Sequence, residues 1–197
     1  MKIAVYSGSF NPLHIGHLAI MKYLTEKMDF DMVYLIVSPK NPVKNTVSAD
    51  TGRERYEAAV EAVARHPELK VAVDDIELGM PTPQYTIRTL DALAVREPEN
   101  AFTFVLGADN LADIRRWRDY RRILSDYGVA VYPRRGYDLA AVKADLMREC
   151  GSQADVESGP GTGRYRISLL DARTVDVSSS ELRAAMAAGI DVSAYLM

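Results

Sequence analysis

Short apolar runs rich in β-branched and aromatic residues recur along the chain at 3–6, 32–37, 69–73, 102–106, 129–132 and 165–170, and each reads as a strand. Between them, apolar positions fall at helical spacing over 16–28, 51–65, 86–96, 108–125, 139–148 and 179–188. Strands alternating with helices predict an α/β fold. A parallel crossover needs a connection long enough to hold a helix, so the sheet is expected to be mostly parallel and covered on both faces, in three layers. The polar stretch 151–163, with four glycines and Pro160, reads as a mobile loop inside a single domain spanning 1–197. In sheets of this kind ligands bind beyond the carboxyl ends of the strands, so the residues that follow each strand are the ones to read for chemistry.

Composition narrows the classes of function. With 197 residues, 48% hydrophobic and 26% charged, the chain fits an ordinary globular domain that buries a core without disulfides. Its 24 basic and 27 acidic side chains leave a formal charge of −3, which excludes a polybasic nucleic-acid binder. Cys150 stands alone, excluding a disulfide framework and a cysteine-based zinc site, and fits a reducing cytoplasm. No stretch approaches the ~20 apolar residues of a membrane helix, and the first apolar run breaks at Ser7-Gly8-Ser9, too early for a signal peptide. Locally the balance differs: residues 115–135 hold seven arginines against Asp119 and Asp126, enough positive charge for a small phosphorylated partner.

The first strand runs into Ser7-Gly8-Ser9-Phe10-Asn11-Pro12-Leu13-His14-Ile15-Gly16-His17 and then an amphipathic helix. Gly8 permits a tight turn, and a helix beginning near Gly16 would turn unpaired N–H groups and its positive dipole end toward an anion. His14 and His17, three apart, would face one phosphoryl group and donate hydrogen bonds to charge growing in a transition state. The alternatives are a core role for His17, in phase with Met21, Leu24 and Met28, and a two-histidine metal site. The latter lacks a third ligand, His66 lying on a distant helix end, so no metal site is expected. Near the C terminus, Val177-Ser178-Ser179-Ser180-Glu181-Leu182-Arg183 opens the last helix. Ser178 and Glu181 form a capping box, while the serine hydroxyls, helix N–H groups and a back-leaning Arg183 make an anion site.

The Gly-Ser-Phe-Asn-Pro turn followed by His14-Ile15-Gly16-His17 resembles the signature of the H-x-G-H nucleotidyltransferase superfamily. Its members move a nucleotidyl group onto a phosphate and release pyrophosphate. The resemblance implies a Rossmann-like nucleotidyltransferase fold, catalysis by His14 and His17, and ATP contacts from Gly8, Ser9, Phe10, His14, His17, Ser179, Ser180 and Arg183. The last three match the I-S-S-T-x-x-R segment that holds the triphosphate, with Val177 for Ile and Ser180 for Thr. Class I aminoacyl-tRNA synthetases share H-x-G-H, but this chain is far shorter and has no K-M-S-K-S segment.

Three further segments resemble the nicotinate mononucleotide adenylyltransferases of bacterial NAD synthesis. Ser38-Pro39-Lys40-Asn41-Pro42-Val43-Lys44 is similar to the family's lysine loop, with Asn-Pro-Val-Lys where P-P-H-K is common, and Lys44 would meet the mononucleotide phosphate. Gln84-Tyr85-Thr86-Ile87-Arg88-Thr89-Leu90 is similar to S-Y-T-x-x-T-L, so that Tyr85 and Thr86 would start a helix whose N–H groups receive the pyridine carboxylate. Gly107-Ala108-Asp109 matches G-x-D, giving Asp109 to ribose hydroxyls, and Trp117 would stack on the pyridine ring. The resemblance runs from Met1 to about Leu196, short of the family's P-x-x-V-x-x-Y-I tail, which leaves homo-oligomerisation open. It implies a cytoplasmic enzyme of NAD biosynthesis taking ATP, with Mg²⁺ carried on it, and nicotinate mononucleotide, by direct in-line attack on the α-phosphorus. The alternatives are transfer to nicotinamide mononucleotide or phosphopantetheine, or a non-catalytic nucleotide-binding module.

Overall fold

The computed structural model describes residues 1–39, 51–151, 164–172 and 177–197. Lys44 lies outside the described residues, as does the loop expected over 151–163 apart from Gly151, which ends a helix. Six strands form one sheet in the order β3-β2-β1-β4-β5-β6: β1 (Lys2–Gly8), β2 (Met32–Val37), β3 (Val71–Asp74), β4 (Ala101–Gly107), β5 (Val129–Tyr132) and β6 (Ile167–Leu169). The pairings of β2 with β3, β4 with β5 and β5 with β6 are parallel. This is the doubly wound, Rossmann-like order, and the α/β fold with a mostly parallel sheet is the one the alternation predicts. Ile3, Ala4, Val5 and Tyr6 are all buried, as are Leu35, Ile36 and Val37. Continuous rather than alternating burial is what a strand covered on both faces requires.

Two compact units divide the chain. One comprises 6–84 and 174–197, the other 1–5 and 85–173. In the unit built mainly from the N-terminal half, α1 (Ile15–Glu26) buries Met21 and Leu24, and α2 (Gly52–Ala64) buries Ala59 and Ala62. α2 opens on a capping box in which Thr51 and Glu54 satisfy each other's backbone N–H groups. β3 begins at Val71 because Leu69 closes a turn onto the carbonyl of His66. A short 3₁₀ turn, Ile76–Gly79, follows it. Another, Ser193–Tyr195, lies near the C terminus, and both are too brief to leave a periodic signal.

In the other unit, α3 (Thr86–Arg96) has the predicted bounds and buries Ile87, Thr89, Leu90 and Leu93. The single helix expected over 108–125 does not form. Instead α4 (Ala108–Ala112), a 3₁₀ turn (Ile114–Arg116), α5 (Tyr120–Arg122) and a π turn (Ile123–Tyr127) succeed one another. Trp117 is extended, with φ −81° and ψ 143°, and Asp119 is left-handed, with φ 52°. Packing overrides propensity here: Trp117 turns its edge onto Phe104 of β4, ring centroids 6.0 Å apart. Further on, α6 (Leu139–Gly151) precedes β6.

The seven arginines of 115–135 are not the open positive patch their density suggests. Arg115 pairs with Asp145 and Glu149, Arg121 with Glu149, and Arg122 with Asp91 and Asp126. Acids remote in sequence, on α3 and α6, answer them. Hydrogen bonding from Tyr120, aided by Arg115, holds the Glu149 carboxyl below the usual range despite burial. Burial and Glu149 together push the Tyr120 hydroxyl up to about 12. Burial opposes ionisation of Asp91, but hydrogen bonds from Arg122 and Tyr127 outweigh it and its carboxyl lies low.

Candidate functional site

The turn after β1 is set by one aromatic ring. Phe10 is buried with φ 43°, a left-handed conformation that costs a bulky residue about 1–2 kcal/mol. Its ring meets Tyr6 and His17 edge to face, at 5.3 Å and 5.2 Å. A Cβ on Gly8 would lie 3.1 Å from that ring, while φ at Gly8 is not positive, so glycine serves the close approach of the ring here and not, as its place in the sequence suggests, the turn. Ser9 turns its carbonyl to Arg55 of α2.

His14 is the N-cap of α1, in extended backbone, and is only 5% exposed. Its Nδ1 accepts a hydrogen bond from the Gly16 N–H at 3.2 Å, while the Nδ1 of His17 accepts from the His14 N–H at 3.2 Å. The two histidines thus build a capping box with imidazoles in place of the usual hydroxyl and carboxylate. The Gly16 N–H, read from sequence as open to an anion, is occupied by His14 instead. In exchange both rings are fixed in one tautomer: a neutral imidazole that accepts at Nδ1 carries its proton at Nε2. The rings lie 3.7 Å apart and 31° from parallel, which gives a pair of Nε2–H donors on one nearly stacked platform. His17 is half-buried beside Phe10 rather than in the core.

α7 (Ser179–Ala187) starts on a third capping box, Ser178 with Glu181. Ser179 Oγ donates to the Pro12 carbonyl at 3.2 Å. Arg183 leans back as expected, donating to the Asn11 carbonyl at 2.6 Å and to Ser180 Oγ at 3.0 Å. A Cβ on Gly16 would lie 3.0 Å from the His14 ring and in ordinary contact, 3.5 Å, with Val177, so glycine at this position makes room for the capping imidazole. Gly8, Ser9, Phe10, His14, His17, Ser179, Ser180 and Arg183 are therefore brought together in one unit by short contacts. What gathers is a set of hydroxyl, guanidinium and imidazole donors, the equipment for a polyphosphate.

In the other unit, Tyr85 is the N-cap of α3 and makes no side-chain cap bond, with Thr86 beginning the helix. The guanidinium groups of Arg88 and Arg118 lie 5.2 Å and 5.1 Å from the Tyr85 ring centre. Trp117, next to Arg118, is half-buried. Gly107 caps α4, and Asp109 folds back over it: a Cβ on Gly107 would stand 2.4 Å from Asp109 Oδ1 and 3.0 Å from the Tyr132 ring. Asp109 Oδ1 is buried without a hydrogen-bond partner among the described residues, the Arg134 Nε standing at 3.8 Å. Among the described residues, no group of three His, Cys, Asp or Glu side chains is assembled to hold a metal ion. Nor is any described helix long and apolar enough to cross a membrane.

Sequence reading missed a polar cluster at the carboxyl ends of β1 and β2. Arg55 is 5% exposed and its guanidinium donates to the carbonyls of Ser9, Ser38 and Pro39 at 2.8, 2.7 and 2.8 Å. Glu77 is 4% exposed and accepts from the hydroxyls of Ser38 and Ser7. A signal was present: Arg55 is in helical phase with Ala59 and Ala62, and a basic residue on a buried stripe must have a polar partner.

The cytidylyltransferase-like family model matches residues 5–185. A "probable nicotinate-nucleotide adenylyltransferase" of Porphyromonas gingivalis is 34% identical over 196 residues, covering 100% of this chain and 89% of its own. One of Bacteroides fragilis is 33% identical over 195 residues, covering 99% and 87%. Among solved structures, the Plasmodium falciparum nicotinic acid mononucleotide adenylyltransferase complexed with NaAD matches with a TM-score of 0.73 at 15% identity, covering 99% of this chain and 90% of its own. That likeness speaks for the fold, whereas the sequence matches span the turn after β1, the cap of α3 and the start of α7 alike. With so much of its length matched, the chain belongs to the cytidylyltransferase-like family and, within it, to the nicotinate-nucleotide adenylyltransferases.

Proposed function

We propose that the chain catalyses ATP + nicotinate mononucleotide → nicotinate adenine dinucleotide + pyrophosphate. A phosphate oxygen of the mononucleotide attacks the α-phosphorus of ATP in line, the bond from that phosphorus to the bridging oxygen of the β-phosphate breaks, and pyrophosphate leaves with the electron pair. No covalent enzyme intermediate is required, so the protein's work is positioning and charge stabilisation. The observation that carries the reading is the histidine capping box, which presents two Nε2–H donors without needing either ring to be charged.

In this reading His14 and His17 donate to the α-phosphate as charge grows on it. Ser179, Ser180 and Arg183 take the β- and γ-phosphates, and Gly8, Ser9 and Phe10 form the ATP side of the turn. Lys44 meets the mononucleotide phosphate, Tyr85, Thr86 and Trp117 receive the pyridine ring with its carboxylate, and Gly107 and Asp109 meet ribose hydroxyls. Mg²⁺ enters on the phosphates of ATP, whose oxygens are the hard donors it prefers. The substrates are those of the cytoplasm.

Pyrophosphate release with ATP and Mg²⁺ tests this, comparing nicotinate mononucleotide, nicotinamide mononucleotide and phosphopantetheine as acceptors. Turnover is expected to be fastest with the first. Turnover with none of them, despite ATP binding, would replace the reading with a nucleotide-binding module.

A further inference from the structure

We infer that Arg55 is a positioning residue for the transfer, fixing from below the turn that carries Phe10, His14 and His17. The inference rests on the proposed reaction for its kinetic side, but its structural side stands alone. A guanidinium buried to 5% exposure is costly to desolvate, and this one spends its donors on backbone carbonyls from two separate loops. Ser9 belongs to the turn after β1, while Ser38 and Pro39 are the exit of β2. One planar fork therefore sets the distance between the two loops, helped by the Ser38 N–H bond to the Gly8 carbonyl at 2.9 Å.

Ser38 is held from both sides. Its carbonyl accepts from the Arg55 cation, while its hydroxyl donates to the Glu77 carboxylate, which also accepts from Ser7. A buried positive and a buried negative group thus grip the ends of β1 and β2 through a serine between them. Burying charge in this way is poor economy for stability alone, since apolar side chains of similar size would serve as well or better. What it supplies is a fixed geometry at the carboxyl ends of strands. Downstream of Ser9, the carbonyls of Asn11 and Pro12 hold Arg183 and Ser179, so a shift of the turn carries with it the donors proposed for the phosphates.

The test is Arg55→Lys, which keeps the charge and the apolar stem but cannot reach three carbonyls in one plane. Its circular dichroism at 25 °C is expected to match wild type, while kcat for pyrophosphate release falls about a hundredfold and KM for ATP changes much less, as misplacement of reacting groups by ~1 Å would produce. Arg55→Ala should recover part of its kcat when ethylguanidinium is added. Amide exchange over residues 7–13 should quicken in Arg55→Lys with β4 and β5 unchanged. If Arg55→Lys fails to fold, Arg55→Gln decides: it has a single amide NH₂ in place of the guanidinium fork, with an expected kcat loss of about a hundredfold. Unchanged kcat per folded molecule overturns the inference, as does a loss that merely follows the unfolded fraction. If wild type itself turns over none of the acceptors, the proposed function fails, and amide exchange alone then supports or overturns the Arg55 clamp.

Discussion

His14 does two things with one ring: Nδ1 closes the start of α1, and the proton this leaves on Nε2 makes the far side of the ring a donor. The two roles separate by substitution. Asparagine is a strong N-cap, so His14→Asn should keep an unfolding temperature near wild type and still lose ~10²–10³ in rate, because the Nε2–H donor is gone. His14→Ala should lose both, the missing cap costing about 1 kcal/mol. Thermal melts beside initial rates check the pair, and equal activity of His14→Asn and wild type would remove the histidine from the chemistry. The motif was plain in the sequence, but its geometry was not, since histidine is not a customary capping residue and nothing in the spacing says that the rings stack. Arg88 makes a second case. It is exposed, lies over Tyr85 and makes no ion pair among the described residues, while the neighbouring Arg118 has only Asp119, at 3.6 Å. Two cations gathered at one ring favour an acceptor that carries a carboxylate. Exposed charge contacts are worth ~0.2–1 kcal/mol each, so losing both in Arg88→Gln/Arg118→Gln should reduce the nicotinate-over-nicotinamide mononucleotide preference in kcat/KM about twofold to thirtyfold. An unaltered ratio would mean that backbone groups alone read the carboxylate.

Capped helices were the most legible elements. Thr51 with Glu54 and Ser178 with Glu181 stand at capping-box spacing in the sequence, and both boxes form. α3, without a side-chain cap, still has the expected bounds, because Pro98 keeps Glu97 out of helical backbone, at φ −138° and ψ 71°. The stretch after β4 misled for a physical reason: its spacing is helical, but the Trp117 contact with Phe104 and the hold of Arg122 on Asp91 are tertiary, and local periodicity carries no trace of them. Arg55 was obscured in the opposite way, a charge on the buried stripe of an otherwise ordinary helix. The start of α4 offers a test at this scale. Because a methyl group on Gly107 would stand 2.4 Å from Asp109 Oδ1, Gly107→Ala must push that carboxylate away. The variant should fold, with weaker binding of the ligand whose ribose is proposed to meet Asp109, read as a raised KM with kcat less affected. A KM equal to wild type would take Asp109 out of the binding site.

Over the whole molecule, alternation of strands and helices was enough for the fold class, but not for the strand order, which depends on crossovers that no local pattern encodes. Charge was misjudged for the same reason. Acids of α3 and α6 neutralise much of the arginine run only after folding, so these pairs make stability depend on pH. The sign follows from Asp91 and Glu149, whose carboxyls titrate lower in the folded protein than their ordinary values of 3.8 and 4.5. Between folded and ordinary values the unfolded chain binds more protons, and stability there rises with pH. Their contribution is complete above the ordinary values and is lost as pH falls through the folded ones. Urea midpoints should therefore hold steady from about pH 7 to about pH 5 and drop in more acid solution. Asp91→Asn removes one of these carboxylates and leaves Arg122 with Asp126 alone. It should be less stable than wild type near neutrality, with the gap narrowing below about pH 4 as wild type loses the same charge. A gap that stayed constant into acid would show that Asp91 stabilises by its shape and not by its ionisation.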